Sequence, residues 1–223
     1  MDTKLVNSIL SQKHFEQNAK SSLIWLYDAL CLFRAAQVLY KTAKEAEHQY
    51  AQIILNEFDH QDKNKGSYSR PLTLDEFVLE IDNKLIRYSY FYLSRSLELL
   101  LKAILIERKE DYFFKTNKKG KKVFDVKGMS HKLIEYVKEC SIVITQKEEN
   151  EILFLQDLLF WGTFPTPNNE EELNEAYNRQ SDADFRLSVQ QYDEISLLFD
   201  KFLAILNEER AKNKRTILNN VFR

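Results

Sequence analysis

The segment "SRSLELLLKAILIERKED", from Ser94 to Asp111, decides the fold of this chain. Leucine and isoleucine fill most of its central positions, while Arg95, Glu98 and Lys102 interrupt them at spacings of three and four residues. These spacings place the three charged side chains on one face of an α-helix. Because apolar residues surround the rest of the circumference, the pattern predicts a central helix whose charged face is partly dehydrated.

The charged face of this helix has two interpretations. A lone buried charge costs several kcal/mol, so Arg95, Glu98 and Lys102 have to satisfy one another. They form either a structural ion-pair stripe at a helix–helix contact or a functional polar patch, with His131 from the next helix as its fourth member. The residues alone leave both interpretations open.

Two long helices are predicted from the apolar periodicity. The first covers Ser22 to Glu57, with an apolar stripe in which small alanines alternate with larger residues, and a turn-rich loop at 59–71 ends it. The second begins near Leu74, with Thr73 or Asp75 as its cap, and ends near Glu107. Shorter helices are predicted over His131–Ser141 with Ser130 as N-cap, over Gln146–Trp161 with Thr145 as N-cap, and over Val189–Lys212.

Between these helices, "DYFFKTNKKGKKVFDV" (111–126) breaks the helical pattern and predicts a small β-hairpin. Five lysines cluster there: Lys115, Lys118, Lys119, Lys121 and Lys122. They are candidate RNA-binding residues, and the rings of Tyr112, Phe113 and Phe114 are candidates for base stacking. The alternative is a solvated turn whose lysines discourage edge-to-edge pairing.

Composition excludes several classes of protein. The chain has four glycines and three prolines in 223 residues, too few for a β-sandwich or barrel and for phosphate-binding glycine loops. The net charge of −2 excludes a globally basic nucleic-acid binder, so any phosphate contact has to be local. We expect one all-α domain over 1–223, with a helix at 3–18 and a loop at 163–188 on its periphery.

The same features suggest where the protein works. Cys31 and Cys140 stand in apolar helical contexts and are predicted to be reduced core residues, as is common in the cytoplasm. The N-terminal residues lack the apolar core of a signal peptide, and we expect no membrane partner. No histidine or cysteine has metal-ligand spacing, so neither a metal nor a cofactor is predicted.

Two segments, "SLELLLKAILIERKE" (96–110) and "GMSHKLIEYVKEC" (128–140), resemble members of the HEPN superfamily (higher eukaryotes and prokaryotes nucleotide-binding). The similar positions are Glu98, Leu99, Lys102, Ala103, Gly128, His131 and Leu133. The stretch with Trp161, Phe164 and Pro165 is also similar, although Thr163 stands where some relatives have arginine. The resemblance implies an up-and-down helical bundle, usually dimeric, in prokaryotic phage defence or a toxin–antitoxin-like system.

The best-known activity of that superfamily is metal-independent RNA cleavage by an Arg-x(4–6)-His motif. None of the four histidines here has an arginine five to seven positions before it, so this motif is absent. Three hypotheses follow: a HEPN-like protein that binds RNA or a partner protein, a ribonuclease with a non-standard site, and a non-catalytic interaction protein. The non-standard catalytic site would consist of Arg95, Glu98, Lys102 and His131.

Aromatic residues surround the start of the leucine-rich helix within two turns. Tyr88, Tyr90, Phe91 and Tyr92 occupy more than one of its faces. One explanation is a second covered surface, which agrees with the homodimer that the resemblance implies. A thick core within one subunit is the alternative.

Overall fold

The computed structural model describes residues 19–63, 73–125, 131–163 and 189–221, which are mainly helical and include one two-stranded antiparallel sheet. The helices are α1 (Ser22–Lys63), α2 (Leu74–Arg108), α3 (Leu133–Glu139), α4 (Gln146–Thr163) and α5 (Val189–Val221). The strands are β1 (Phe114–Thr116) and β2 (Lys122–Phe124). The predicted mainly helical class and the hairpin insertion are confirmed. The predicted helix at 3–18 and nearly all of the loop at 163–188 lie outside the described residues.

Helix α2 lies at the centre of the fold and contacts each of the other four helices. Its second half is buried on almost every side, as the leucine-rich pattern predicted. The fully buried residues of this half include Leu93, Leu97, Leu100, Leu101, Ala103, Ile104 and Leu105. Its charged face therefore has to find its partners inside the protein or at its immediate surface.

Helices α1 and α2 run antiparallel. Ser22, at the start of α1, donates a 2.5 Å hydrogen bond to Glu107, near the end of α2. The buried stripe of α1 consists of Ala29, Ala36, Ala43 and Ala46, all fully or almost fully buried. Alanines at these positions let the two helix backbones approach closely, in agreement with the sequence pattern.

Helix α5 closes the core with stacked aromatic rings. Phe199 stacks on Phe33 of α1 at a centroid distance of 4.0 Å, and Tyr192 stacks on Tyr40 at 4.3 Å. The edge of Tyr90 from α2 meets Tyr192 at 5.2 Å. Such pairs add about 0.5–1.5 kcal/mol each beyond the area that they bury.

The predicted bounds of α1, α3 and α5 were wrong, and α4 ends at Thr163 rather than at Trp161. Helix α1 continues beyond Glu57 to Lys63, and α5 continues beyond Lys212 to Val221. No glycine or proline stands in either extension, so a helix meets no local stop signal there. Helix α3 is shorter than predicted because it begins at Leu133 with Lys132 as its N-cap, so His131 precedes the helix. Ser130, the predicted cap, lies outside the described residues.

Thr145 caps α4 as predicted, and Glu148 completes a capping box with it. The backbone N–H of Glu148 donates to the Thr145 hydroxyl at 3.2 Å, and the Glu148 carboxylate accepts from the Thr145 N–H at 2.7 Å. Two N–H groups that a helix start leaves unpaired are thereby satisfied. Glu148 also accepts a 2.6 Å hydrogen bond from Lys201, which ties α4 to α5.

Among the described residues, one helix passes a simple test for a membrane span. Within α1, Ser22–Ile53 is long and apolar enough to cross a bilayer, judged by length and composition only. Helices in the cores of soluble proteins pass the same test, so the absence of a membrane partner stays a prediction.

The outward side of α1 carries exposed apolar residues: Leu23, Tyr27 and Val38 are all more than half exposed. Cys31 is exposed as well, so its predicted place in the core was wrong, whereas Cys140 is buried.

Candidate functional site between α2 and His131

The structure brings together all four residues of the predicted polar patch. The Glu98 carboxylate accepts hydrogen bonds from Arg95, one turn before it, and from Lys102, one turn after it. His131, from the segment that leads into α3, places its Nδ1 atom 3.1 Å from Glu98 Oε2 and 3.2 Å from Arg95 Nη1. Residues far apart in the sequence therefore form one cluster around a single carboxylate.

Glu98 is the centre of this cluster and is completely buried. Burial alone raises the pKa of the Glu98 carboxyl, but hydrogen bonds from His131 and Lys102 and the positive charges of Lys102 and Arg95 outweigh it. The net result lowers the pKa from 4.5 to about 2. Glu98 is therefore an ionised acceptor at every physiological pH.

Lys102 is equally buried, and its exposed fraction is 1%. Burial lowers the pKa of its ammonium, and the nearby Arg95 charge acts in the same direction, while Glu98 opposes both. At Lys102, which has one carboxylate partner, burial determines the direction of the pKa shift. At Glu98 the hydrogen bonds and charges of three partners outweigh burial. Two aromatic rings also face the ammonium, Trp25 at 5.6 Å and Tyr136 at 5.5 Å. Cation–π contacts of this kind stabilise a desolvated cation by up to about 2 kcal/mol.

Trp25 and Tyr136 were not predicted as members of the site. Trp25 comes from α1, where its indole N–H donates to the Ala19 carbonyl at 3.0 Å, and Tyr136 comes from α3. Trp25 belonged to the predicted apolar stripe, and nothing in its spacing marks it as a partner of Lys102. A buried lysine needs such rings or further acceptors, but only the folded chain shows which residues supply them.

Arg95 and His131 form the accessible side of the cluster. Their side chains are 36% and 35% exposed, whereas Glu98 and Lys102 are closed to solvent. Direct contact with a substrate is therefore open to Arg95 and His131 alone among the four. Glu98 and Lys102 are in contact only with the other members of the cluster and its surrounding rings, so any influence on a ligand would pass through Arg95 and His131.

The carboxylate also determines how His131 is oriented. Nδ1 of His131 lies within reach of both Glu98 Oε2, an acceptor, and Arg95 Nη1, a donor, so one tautomer donates to Glu98 and the other accepts from Arg95. In the tautomer that donates to Glu98, the imidazole proton is on Nδ1. The Nε2 atom then has a free lone pair, and it makes no hydrogen bond with any residue in the described ranges. A carboxylate-held histidine with a free second nitrogen suits either phosphate binding, once protonated, or proton transfer.

The charges of the cluster do not cancel. Arg95 and Lys102 are cations and Glu98 is the one carboxylate that they contact within the described part of the chain. Because Lys102 lies inside, the surplus positive charge is exposed at Arg95, beside His131. A surplus of this kind favours an anionic ligand.

The hairpin lysines divide into two groups. Lys115 pairs with Asp125 and Lys122 pairs with Asp111, so the charges of these two lysines are balanced by acids within the protein. Lys118, Lys119 and Lys121 are exposed and have no acidic partner among the described residues. All three belong to the tip of the hairpin.

The hairpin tip has a defined backbone. The Asn117 side-chain oxygen accepts hydrogen bonds from the backbone N–H groups of Lys119 and Lys121 at 2.9 and 3.0 Å. Gly120 has φ +75°, the left-handed conformation that the turn requires. The three lysines are therefore presented on an ordered turn.

The aromatic residues beside the hairpin are less available than predicted. Phe113 is only 2% exposed and packs between Trp25 and Tyr136, so its predicted role in base stacking was wrong. Phe114 is half-buried and has the Lys20 ammonium over its ring at 4.7 Å. Tyr112 is also half-buried, with Lys109 5.7 Å from its ring.

Comparisons with protein-family models, curated proteins and solved structures find no match to this chain. The resemblance to the HEPN superfamily therefore stays a hypothesis based on short motifs. Of its motif residues, Glu98, Lys102 and His131 converge at one site, while Gly128, Phe164 and Pro165 lie outside the described residues. Within the described ranges, no group of three or more His, Cys, Asp or Glu side chains is arranged to hold a metal.

Proposed function

We propose that this chain is a HEPN-like, up-and-down helical bundle that binds RNA by a phosphate contact at Arg95 and His131. The observation that supports this most directly is the surplus positive charge at the accessible side of a buried cluster. Arginine suits this role because its planar guanidinium offers several donors, so it can hold Glu98 and a phosphate oxygen together. The resemblance adds the setting of phage defence or a toxin–antitoxin-like system.

Buried support separates this site from an ordinary surface arginine. The Glu98 carboxylate holds both Arg95 and His131. On its buried side it pairs with Lys102, whose ammonium lies against the rings of Trp25 and Tyr136. Both exposed groups are therefore restrained before a ligand arrives. Restrained side chains lose less conformational entropy on binding, which strengthens a phosphate contact.

Fluorescence anisotropy with a labelled single-stranded RNA tests the proposal. Arg95→Gln should weaken binding by about tenfold or more, the value of one charge-assisted hydrogen bond. Arg87→Gln is the matched control, since Arg87 is an exposed residue of the same helix without a partner in the described ranges and the charge change is identical. Equal weakening by the two substitutions, or no binding at micromolar protein in low salt, would rule out the site.

Metal-independent RNA cleavage is the second candidate, and the free Nε2 of His131 favours it. In this mechanism Nε2 removes the proton from a ribose 2′-hydroxyl, whose oxygen attacks the adjacent phosphorus to form a 2′,3′-cyclic phosphate. The bond to the 5′ oxygen of the next nucleotide breaks, and that oxygen takes up a proton from water and leaves as a hydroxyl. Arg95 stabilises the negative charge that develops on the phosphate. Glu98 keeps the imidazole oriented throughout.

Incubation with tRNA in EDTA tests for cleavage. His131→Ala should reduce the rate by about 10²–10⁴-fold, as expected for loss of a general acid or base. His48→Ala is the control, because His48 is exposed on α1, away from the cluster. If the unaltered protein leaves tRNA intact, cleavage is ruled out. RNA binding, which the anisotropy measurement tests, then remains the proposed function.

A further inference from the structure

The segment "KLIRYSYFYLSR" (84–95) of α2 interleaves aromatic and basic residues and contains no acidic residue. It stands out in a chain whose acidic residues outnumber its lysines and arginines, 34 to 32. Of its aromatic residues, Tyr90 is buried in the core, while Phe91 and Tyr92 are half-buried. Tyr88 is 56% exposed. The core therefore accounts for Tyr90 but not for Tyr88.

The exposed ring of Tyr88 belongs to the same helix stripe as Arg95. Tyr88, Phe91 and Arg95 follow one another at spacings of three and four residues, so they are neighbours on one face of α2. Tyr88 makes no ring contact or hydrogen bond with any residue that the structure describes. The half-buried ring of Phe91 packs against Tyr92 in an edge-on arrangement. Two rings, one of them free, therefore lie beside the accessible side of the charged cluster.

We propose that Tyr88 and Phe91 form a base-stacking subsite next to the phosphate contact at Arg95 and His131, so that the ligand is single-stranded RNA. This inference rests on the proposed RNA binding at that contact. Tyr88 lies about 10 Å along the helix from Arg95, close enough for one short stretch of nucleotides to reach both. The bases of a duplex are paired and stacked on one another, so only unpaired nucleotides can lay a base on Tyr88.

The charges of the segment suit a phosphate chain. Lys84, which is exposed, and Arg95 stand at the two ends of the segment, on the same stripe as Tyr88. Arg87 lies on the flank, about 80° round the helix from Arg95. Proteins bind single strands with cations that follow the sugar–phosphate backbone and rings on which bases stack. The stripe from Lys84 to Arg95 offers both kinds of group in alternation.

A nucleic acid strand suits this surface better than a second copy of the chain. Two copies that met face to face through this segment would bring the three cations of each together, and neither segment contains an acid to pair with them. Like charges placed opposite one another cost free energy. A polyanion is attracted to the same charges.

Two labelled probes of equal length and charge separate base stacking from phosphate binding. The first is oligoadenylate, and the second is the corresponding abasic ribose–phosphate chain, which has no bases. In fluorescence anisotropy, Tyr88→Leu should weaken oligoadenylate binding about tenfold, the effect of losing one stacked base. Binding of the abasic chain should not change. Tyr88→Phe keeps the ring and should bind oligoadenylate as tightly as the unaltered chain does.

Tyr27→Leu is the matched control, because Tyr27 is a comparably exposed tyrosine of α1 and the substitution is the same. This variant should bind both probes as the unaltered chain does. Arg95→Gln should weaken the binding of both probes, because both carry phosphates. An RNA duplex of the same length should bind more weakly than oligoadenylate, and Tyr88→Leu should not affect it.

The results distinguish this inference from the proposed function. If Arg95→Gln weakens both probes and Tyr88→Leu weakens neither, the phosphate contact stands and the stacking subsite is overturned. If neither probe binds, or Arg95→Gln affects neither, the phosphate contact fails and the subsite fails with it. Equal loss from Tyr88→Leu and Tyr27→Leu would also overturn the subsite. So would a shift from dimer to monomer on Tyr88→Leu in light scattering, which would assign the ring to a contact between copies.

Discussion

The Nδ1 atom of His131 lies 3.1 Å from Oε2 of Glu98, so a histidine outside any helix is held by a carboxylate buried inside the fold. The contact joins the segment before α3 to the middle of α2. It also makes the accessible pair, Arg95 and His131, dependent on a residue that no ligand can reach. Three measurements test this dependence, and two more test the hairpin and the aromatic core.

Removing the central carboxylate should destabilise the protein strongly. Glu98→Ala leaves Lys102 buried without its ion partner, which costs about 3–5 kcal/mol of the free energy of unfolding. Denaturant unfolding followed by circular dichroism measures this loss. Lys132→Ala is the control, because the exposed Lys132–Glu135 pair contributes only about 0.2–0.5 kcal/mol.

A double replacement separates pairing from packing. Glu98→Leu combined with Lys102→Met removes both buried charges and fills a similar volume, so this variant should be more stable than Glu98→Ala. Arg95 and His131 remain hydrated in it because both reach solvent. A double variant less stable than Glu98→Ala would show that the ion pair itself holds the core together.

Acid should remove the contribution of Glu98. Its pKa is about 2 in the folded chain and 4.5 ordinarily, so its stabilising contribution is complete above pH 4.5 and is lost as the pH falls towards 2. The size of that contribution is about 3 kcal/mol. Between pH 6 and pH 2.5, the free energy of unfolding should therefore fall more steeply with decreasing pH for the unaltered chain than for Glu98→Gln. Equal slopes would mean that Glu98 titrates normally.

The hairpin lysines should differ in their effect on RNA affinity. Lys118, Lys119 and Lys121 have no acidic partner within the described residues, so replacing all three by Gln should weaken binding and flatten its salt dependence by up to about 0.7 per lysine on logarithmic axes. Replacing Lys115 and Lys122, which pair with Asp125 and Asp111, should change the slope less. The measurement is affinity for single-stranded RNA across a salt series. An unchanged slope in the triple variant would identify the tip as a solvated turn.

One buried hydroxyl should be dispensable. The Tyr192 hydroxyl is buried and makes no hydrogen bond in the described structure, and burial raises the pKa of this phenol. Tyr192→Phe keeps the stacked ring and should raise stability by about 1 kcal/mol, because no unpaired polar atom remains. Tyr40→Phe is the contrast, since the Tyr40 hydroxyl accepts a 3.0 Å hydrogen bond from Lys44 and its loss should destabilise. Thermal unfolding of both variants decides.

Much of the fold follows from local patterns. The scarcity of glycine and proline and the apolar periodicity predicted the long helices, the break in that periodicity at 111–126 predicted the hairpin, and Thr145 predicted the start of α4. Helix ends were predicted less well, because α1 and α5 continue through polar sequence that lacks a stop signal. A helix end depends on what the last turns contact, which local sequence does not record.

The sequence by itself determined that Arg95, Glu98 and Lys102 share one helix face, because helical spacing requires it. Only the tertiary structure decided that His131 joins them and that Trp25 and Tyr136 face the Lys102 ammonium. It also decided that Phe113, expected at the surface, is buried and that Cys31, expected in the core, is exposed. Spacing along a chain fixes neighbours within one helix. Which groups are buried together depends on how separate helices pack, and burial sets the charge state and accessibility of each group.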